Sequence, residues 1–350
     1  MGKKIAVVGA GAIGGYAGGH MTRAGHDVTL IDAWPEHVEY MRQHGLHLCG
    51  LTAAESHTIE VNTMHVCDVQ HLIKDRPVDI AFICVKSYDT EWAAHLIKPY
   101  LAPNGFVVSL QNCINEERIA AIVGWGKTLG CIASLVAAEL YEAGHVKRTV
   151  PLGGERHTVF RVGEVHGRAS PRASEVAELL RSADSAKVTT NLWGERWSKL
   201  VVNSMRNGLS AASGLNGNAR DLAEGPRWLS IRLGSEAVRV GQALGFQLEK
   251  MLGMEAETLA RAGEGNRDAL SEIVDILVEA AKKRSDEQRP SMAQDIAKGR
   301  RTETDFINGF VAAKGDEIGV PAPTHAGMNQ VVRRVERGEI KASPENVRHL

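Results

Sequence analysis

The chain has 350 residues, 43% of them hydrophobic, and a formal net charge of -1, which allows two domains and a sizeable core and gives no basic surplus for nucleic acid or an anionic membrane. No apolar run approaches the roughly 18 residues that span a bilayer, and the short apolar stretch after Lys3 and Lys4 turns glycine-rich too early for a secretory segment. Five cysteines without a CxxC pair and fourteen histidines without HExxH spacing argue against a disulfide scaffold or a metal site and for a reducing cytoplasm.

In chain order, "KIAVVGA" predicts a strand, "AIGGYAGGHMTRAG" a helix ending at Gly25, and "HDVTLID" a second strand. "DIAFICVK" and "FVVSLQN" read as buried strands with the helical "TEWAAHLIKPYLA" between them. Apolar strands separated by helices imply a parallel sheet of βαβ units. Residues 145–168 are β-rich with turns and predict antiparallel strands added at the sheet edge. From Ser170 the texture turns helical: "SPRASEVAELLRSA" with an N-cap serine and Pro171 in its first turn, then "WGERWSKLVVNSMRNGLSAASG", "GPRWLSIRLGSEAVRVGQALG", "SEIVDILVEAAKKRSDE" and "DFINGFVAAKGDEIG". The fold class is therefore α/β: a Rossmann-type dinucleotide-binding domain over 1–188, followed by an all-helical domain over 189–350. The apolar "EIVDILVEAA" leaves a homodimer open.

The stretch "GAGAIGG" sits where a strand ends and a helix begins. Gly9 suits the tight turn, Gly11 lets backbone approach a pyrophosphate, and Gly14 permits close helix–strand packing, with Ala10, Ala12 and Ile13 completing the loop. The N–H groups at the helix start then face the anion. Asp32 ends the second strand about twenty residues on. An acid there accepts hydrogen bonds from the adenosine ribose and repels a 2′-phosphate, favouring NAD over NADP. The next segment offers no arginine before Arg42.

Further on, Lys199, Asn203 and Asn207 fall at i, i+4 and i+8 and share one helix face. They lie among Trp197, Leu200, Val201, Val202, Met205 and Leu209, where amides and an ammonium need partners. One cation and two amides can line a small polar cleft, and a partly desolvated lysine suits proton donation to a carbonyl that gains a hydride. In "SMAQDIAKGRRTETDF", Ser291 and Gln294 form a capping-box pattern. Gly299 stops that helix, Thr302 with Asp305 marks the next N-cap, and Glu303 falls on the new first turn.

The blocks "GAGAIGG", "CVKSYDT…SLQNCINEE", "WSKLVVNSMRNGLSA" and "SMAQDIAKGRRTETDFINGF" resemble the ketopantoate reductase (2-dehydropantoate 2-reductase) family, in that family's order and over nearly the whole chain. The resemblance implies a nicotinamide-dependent oxidoreductase of pantothenate biosynthesis, with NADP typical of the family. It implies that Lys199 donates a proton to the keto oxygen and that Asn203, Asn207 and Asn216 bind substrate. Ser291 holds the substrate carboxylate, and Glu303 lies near the nicotinamide ribose and the reacting hydroxyl. Asn112 faces both cofactor and substrate, and Lys86 lies beside the cofactor. The small 2-oxo acid, or 2-hydroxy acid, would bind in a cleft between the domains.

Three positions depart from the family pattern: Cys113 replaces a glycine after Gln111-Asn112, Asp32 replaces an arginine for the 2′-phosphate, and Gln288 replaces an asparagine before the serine. These keep in view the same scaffold working with NAD on another 2-hydroxy acid. An opine-type imine reductase and a nucleotide-sensing protein are more distant alternatives.

Overall fold

The computed structural model describes residues 2–284 and 290–350. It divides into two compact units, Met1–Leu192 and Trp193–Leu350. Gln288 and the end of the "SEIVDILVEAAKKRSDE" helix lie outside the described residues.

The strands of the first unit are β1 (Lys4–Val8), β2 (Asp27–Asp32), β3 (Leu46–Cys49), β4 (His57–Ile59), β5 (Asn62–His65), β6 (Val78–Ile83), β7 (Leu101–Ser109), β8 (Thr128–Ala133), β9 (Ala138–Glu142), β10 (His145–Arg148), β11 (Phe160–Glu164) and β12 (Ala186–Thr189). Its helices are α1 (Ala12–Arg23), α2 (Pro35–His44), α3 (Thr90–Ile97), α4 (Glu116–Val123) and α5 (Pro171–Arg181). The main sheet runs β12-β11-β8-β7-β6-β1-β2-β5. All neighbours pair parallel except β11 with β8. Alternation along β1 explains the two faces: Ile5 and Val7 join the core beneath α1 and α5, whereas Ala6 and Val8 join the core beneath α3 and α4. Ser170 caps α5 through a hydrogen bond from Ala173 N, with Pro171 opening the helix, as the sequence predicts.

The segment 145–168 departs from expectation. Of this segment only β11 joins the main sheet, antiparallel to β8 as expected and second from the edge, with β12 beyond it. β10 instead builds a second sheet, β4-β3-β10-β9, pairing parallel with β3 and antiparallel with β9. Burial of polar groups explains the detour. Arg148 of β10 is 1% exposed, pairs with Asp184 at 2.6 Å, and donates to Tyr16 Oη (3.0 Å) and Pro151 O (2.7 Å). Those partners sit on and below α1, so Arg148 holds the small sheet against that helix.

The second unit is helical: α6 (Leu192–Ser213), α7 (Gly217–Leu222), α8 (Glu224–Ala243), α9 (Ala256–Gly263), α10 (Arg267–Lys282), α11 (Ser291–Ala297), α12 (Asn308–Ile318) and α13 (Pro323–Glu336). Trp197 of α6 is 1% exposed and donates from Nε1 to Ala237 O of α8 at 2.7 Å, so the apolar face of α6 is fixed by a polar lock as well as by burial.

His325 on α13 is fully buried. Its Nδ1 accepts from Asn308 Nδ2 (3.1 Å) and its Nε2 donates to Leu233 O (2.8 Å). That arrangement requires the neutral ring, and burial lowers its pKa from 6.5 to about 4. The unfolded chain binds this proton near pH 6.5, so stability present above that value is lost as pH falls through the window from 6.5 to 4. The loss reaches about 3 kcal/mol at the lower end. Urea midpoints are expected to fall between pH 7 and pH 4.5, and less steeply in His325→Gln whatever that variant costs at pH 7. Equal slopes for the two proteins would remove His325 as the cause.

Candidate functional site

In the first unit the carboxyl ends of four neighbouring parallel strands, β7, β6, β1 and β2, carry the sequence-predicted residues. Gly9 to Gly14 follow β1, Asp32 ends β2, Lys86 follows β6 and Asn112 follows β7. The loops continue the ladder: Gly9 N donates to Ile31 O (2.8 Å), Cys84 N to Val8 O (2.8 Å) and Leu110 N to Ile83 O (3.0 Å).

Gly9 has a φ of 94°, where side chains are strained. A Cβ on Gly14 would lie 1.9 Å from Gly9 O, so α1 can start there only on a glycine. A Cβ on Gly11 would meet nothing within 4 Å: the space in front of the loop is open. Gly11 N-caps α1 with no side-chain cap bond, and the first turn carries no acid. The leading N–H groups and the positive end of the helix dipole therefore face that open space, which fits a dinucleotide phosphate. Burial pushes the neighbouring Cys84 thiol up, so it stays neutral beside the loop.

Asp32 accepts from Trp34 N through Oδ1 at 2.9 Å. This local turn orients the carboxylate at the end of β2. Sequence reasoning missed His37. It is fully buried, accepts from Gly144 N at Nδ1 (2.8 Å) and donates from Nε2 to Ala10 O (3.0 Å). His37 thereby fixes the peptide between Gly9 and Gly11.

The loops after β6 and β7 are stapled together. Gln111 Nε2 donates to Val85 O and to Thr90 Oγ1, both at 2.9 Å, and Asn115 Nδ2 donates to Asn112 O at 2.8 Å. Cys113, buried, has a φ of 64°, the conformation that favours glycine.

In the second unit, α6 presents Lys199 and Asn203 half-buried and Asn207 only 7% exposed. Neither asparagine amide is hydrogen-bonded to a described residue. A buried amide left unpaired costs about 1–3 kcal/mol, so this face is built to receive polar atoms from elsewhere. Asn308, another residue the sequence did not single out, supports it from α12: fully buried, it donates from Nδ2 to Ser204 O of α6 at 3.1 Å.

Asn216 N-caps α7, accepting from Ala219 N at 2.8 Å, so its carbonyl oxygen has a structural task. Ser291 differs from the capping-box expectation. Pro290 is the N-cap residue, and Ser291, exposed, opens α11 with no cap bond. One position inside the helix, its hydroxyl no longer faces the N3 amide. Glu303 is 4% exposed and precedes a short 3-10 turn over Thr304–Phe306, not the first turn of a new α-helix.

Comparison with known proteins bears on both units. Residues 5–160 match the family model for ketopantoate reductase PanE/ApbA, and residues 191–336 match the model for its C-terminal part. A 2-dehydropantoate 2-reductase of Archaeoglobus fulgidus is 32% identical over 96% of this chain and 99% of its own length. A PanE/ApbA family ketopantoate reductase of Ralstonia eutropha JMP134 superposes with a TM-score of 0.77 at 28% identity, covering 96% of this chain and 99% of that one. A D-mandelate dehydrogenase, solved with NADH and anilino(oxo)acetate, shares the fold with a TM-score of 0.78 at 22% identity, covering 96% and 98%.

Proposed function

Because this chain belongs to the ketopantoate reductase PanE/ApbA family, and so is an NAD(P)-dependent oxidoreductase of 2-oxo and 2-hydroxy acids, we propose that Lys199 is its proton donor and that NAD is its preferred cofactor. The unpaired, nearly buried Asn207 amide beside Lys199 and Asn203 on α6 carries the assignment of substrate residues. When bound, the nicotinamide supplies the hydride.

This chain's own groups then do the rest. Gly9 to Gly14 hold the pyrophosphate, Asp32 holds the adenosine ribose, and Lys86 and Asn112 flank the nicotinamide end. Asn203, Asn207 and Asn216 fix the acid, with Ser291 on its carboxylate. Lys199 protonates the keto oxygen as negative charge develops there, and the neutral lysine takes that proton back in the oxidative direction. Glu303, a buried acid, orients the reacting hydroxyl and the ribose. A 2-oxo acid of the ketopantoate type is the substrate class the family supports. Five cysteines, none in a disulfide among the described residues, support a cytoplasmic location.

The test is nicotinamide oxidation with NADH and with NADPH against a panel of 2-oxo acids. NADH is expected to give the higher kcat/KM. Asp32→Asn removes the charge that repels a 2′-phosphate, and the NADPH-to-NADH ratio of kcat/KM is expected to rise about tenfold or more, roughly 1.4 kcal/mol. An unchanged ratio would sink the cofactor preference. No turnover with any acid would sink the enzyme assignment.

A further inference from the structure

The face of α6 that carries Lys199 continues past Asn203. At 3.6 residues per turn Arg206 lies about 20° from Lys199 around the axis and roughly 10 Å along it. Ser210 falls on the same face one turn later. Around Arg206, among the described residues, the second unit gathers three guanidinium groups and one carboxylate. Asp221 of α7 is fully buried, with Arg220 Nε 2.8 Å from Oδ1, Arg284 Nη1 2.9 Å from Oδ2 and Arg206 Nη2 3.7 Å from Oδ2. Arg220 also donates to Ser210 Oγ at 3.3 Å. Its neighbour Arg284 packs on Gly217, where a Cβ would come within 2.7 Å of Nη1.

One carboxylate cannot balance three guanidinium groups. Arg220 and Arg284 make charge-assisted hydrogen bonds to Asp221, the strong kind. Arg206 makes no hydrogen bond to any described residue, and its Nε is buried without a partner. Its side chain is 17% exposed, that of Arg284 15%, and those of Arg220 and Asp221 at most 1%. Burial, and next the charge of Arg220, hold the Arg206 guanidinium well below the usual arginine range. A buried cation with unspent donors is costly unless an anion completes it. Arg206 therefore stands on the Lys199 face of α6 with donors unspent, backed by two arginines anchored on Asp221.

We infer that Arg206, backed by Arg220 and Arg284, is a subsite for a second acidic group on the substrate, so that this chain acts on 2-oxo acids bearing a carboxylate distal to the reacting carbonyl. This inference rests on the reading of α6 as the substrate face. Guanidinium selects a planar carboxylate in bidentate geometry where a lysine offers only a point charge. Asn203 then lies between the reacting end, at Lys199, and the distal end, at Arg206, with Asn207 next to Arg206 at the distal end.

Matched pairs of acids test it. 2-Oxoglutarate and 2-oxopentanoate have the same carbon chain and differ in one terminal carboxylate, with ketopantoate as a further monoacid. Reduction is expected to favour the diacid at least tenfold in kcat/KM. The diacid-to-monoacid ratio is expected to fall at least tenfold in Arg206→Gln and by less in Arg206→Lys, which also serves if the glutamine variant does not fold. A monoacid preference, or a ratio that neither variant moves, overturns the inference while leaving the reductase assignment standing. If no acid is reduced, calorimetric titration of the same acids decides. Tighter binding of the diacid that Arg206→Gln abolishes upholds the subsite although the reductase assignment fails. Equal binding, or none, overturns it.

Discussion

Lys199→Ala is expected to lower kcat by about 10²- to 10⁴-fold, the range for removing a positioned general acid. That corresponds to roughly 3–5 kcal/mol of transition-state stabilisation. Hydride addition to a carbonyl leaves charge on oxygen, and without a donor at that oxygen the alkoxide must form unprotonated or wait for water. The loss should fall on kcat more than on KM, because Asn203 and Asn207 still hold the acid. NADH titration should be unchanged, since the glycine loop and Asp32 belong to the other unit. Lys199→Arg should not restore turnover: a guanidinium keeps its proton. Steady-state kinetics on the three proteins measures this, and full activity in Lys199→Ala would move the proton donor elsewhere.

What the sequence made legible was local and periodic. The strand–glycine–helix order, Asp32 at a strand end, and the i, i+4, i+8 spacing on α6 are patterns within a few turns of chain, and the protein forms each of them. What it hid was non-local. β3 and β10 pair in parallel although about a hundred residues apart, and neither short strand has enough alternation to announce itself. His37 reaches both Ala10 and Gly144, a bridge that no spacing rule anticipates. Arg206, Arg220 and Arg284 converge on Asp221 only once α6, α7 and the end of α10 are folded together. The boundary expected at 188/189 cuts β12, which pairs with β11; contacts divide the chain at 192/193. At Ser291 a correct-looking local pattern lost to its neighbour. Pro290 already has extended ψ and takes the N-cap place, so a serine in the right sequence context sits one residue too far in.

The glycine loop offers the sharpest separation of folding from binding, through two alanine substitutions three residues apart. Gly14→Ala is expected to destabilise the protein by about 3 kcal/mol or more and to abolish NADH binding with it. The new Cβ would lie 1.9 Å from Gly9 O and 2.9 Å from Cys84 Cβ. Neither neighbour can retreat cheaply. Gly9 is pinned by its hydrogen bond to Ile31 O, the next carbonyl by His37, and Cys84 by Val8 O. The start of α1 must therefore leave its seat on β1. Gly11→Ala meets nothing within 4 Å, so its urea midpoint should stay near wild type. Yet its methyl group stands where the backbone must approach a pyrophosphate, and NADH affinity is expected to fall at least tenfold. Urea unfolding paired with NADH titration reads both effects. If Gly11→Ala binds NADH as wild type does, the loop is a tight turn and nothing more. If Gly14→Ala keeps its urea midpoint, the clash with Gly9 is relieved by a movement that the hydrogen bonds around it do not allow.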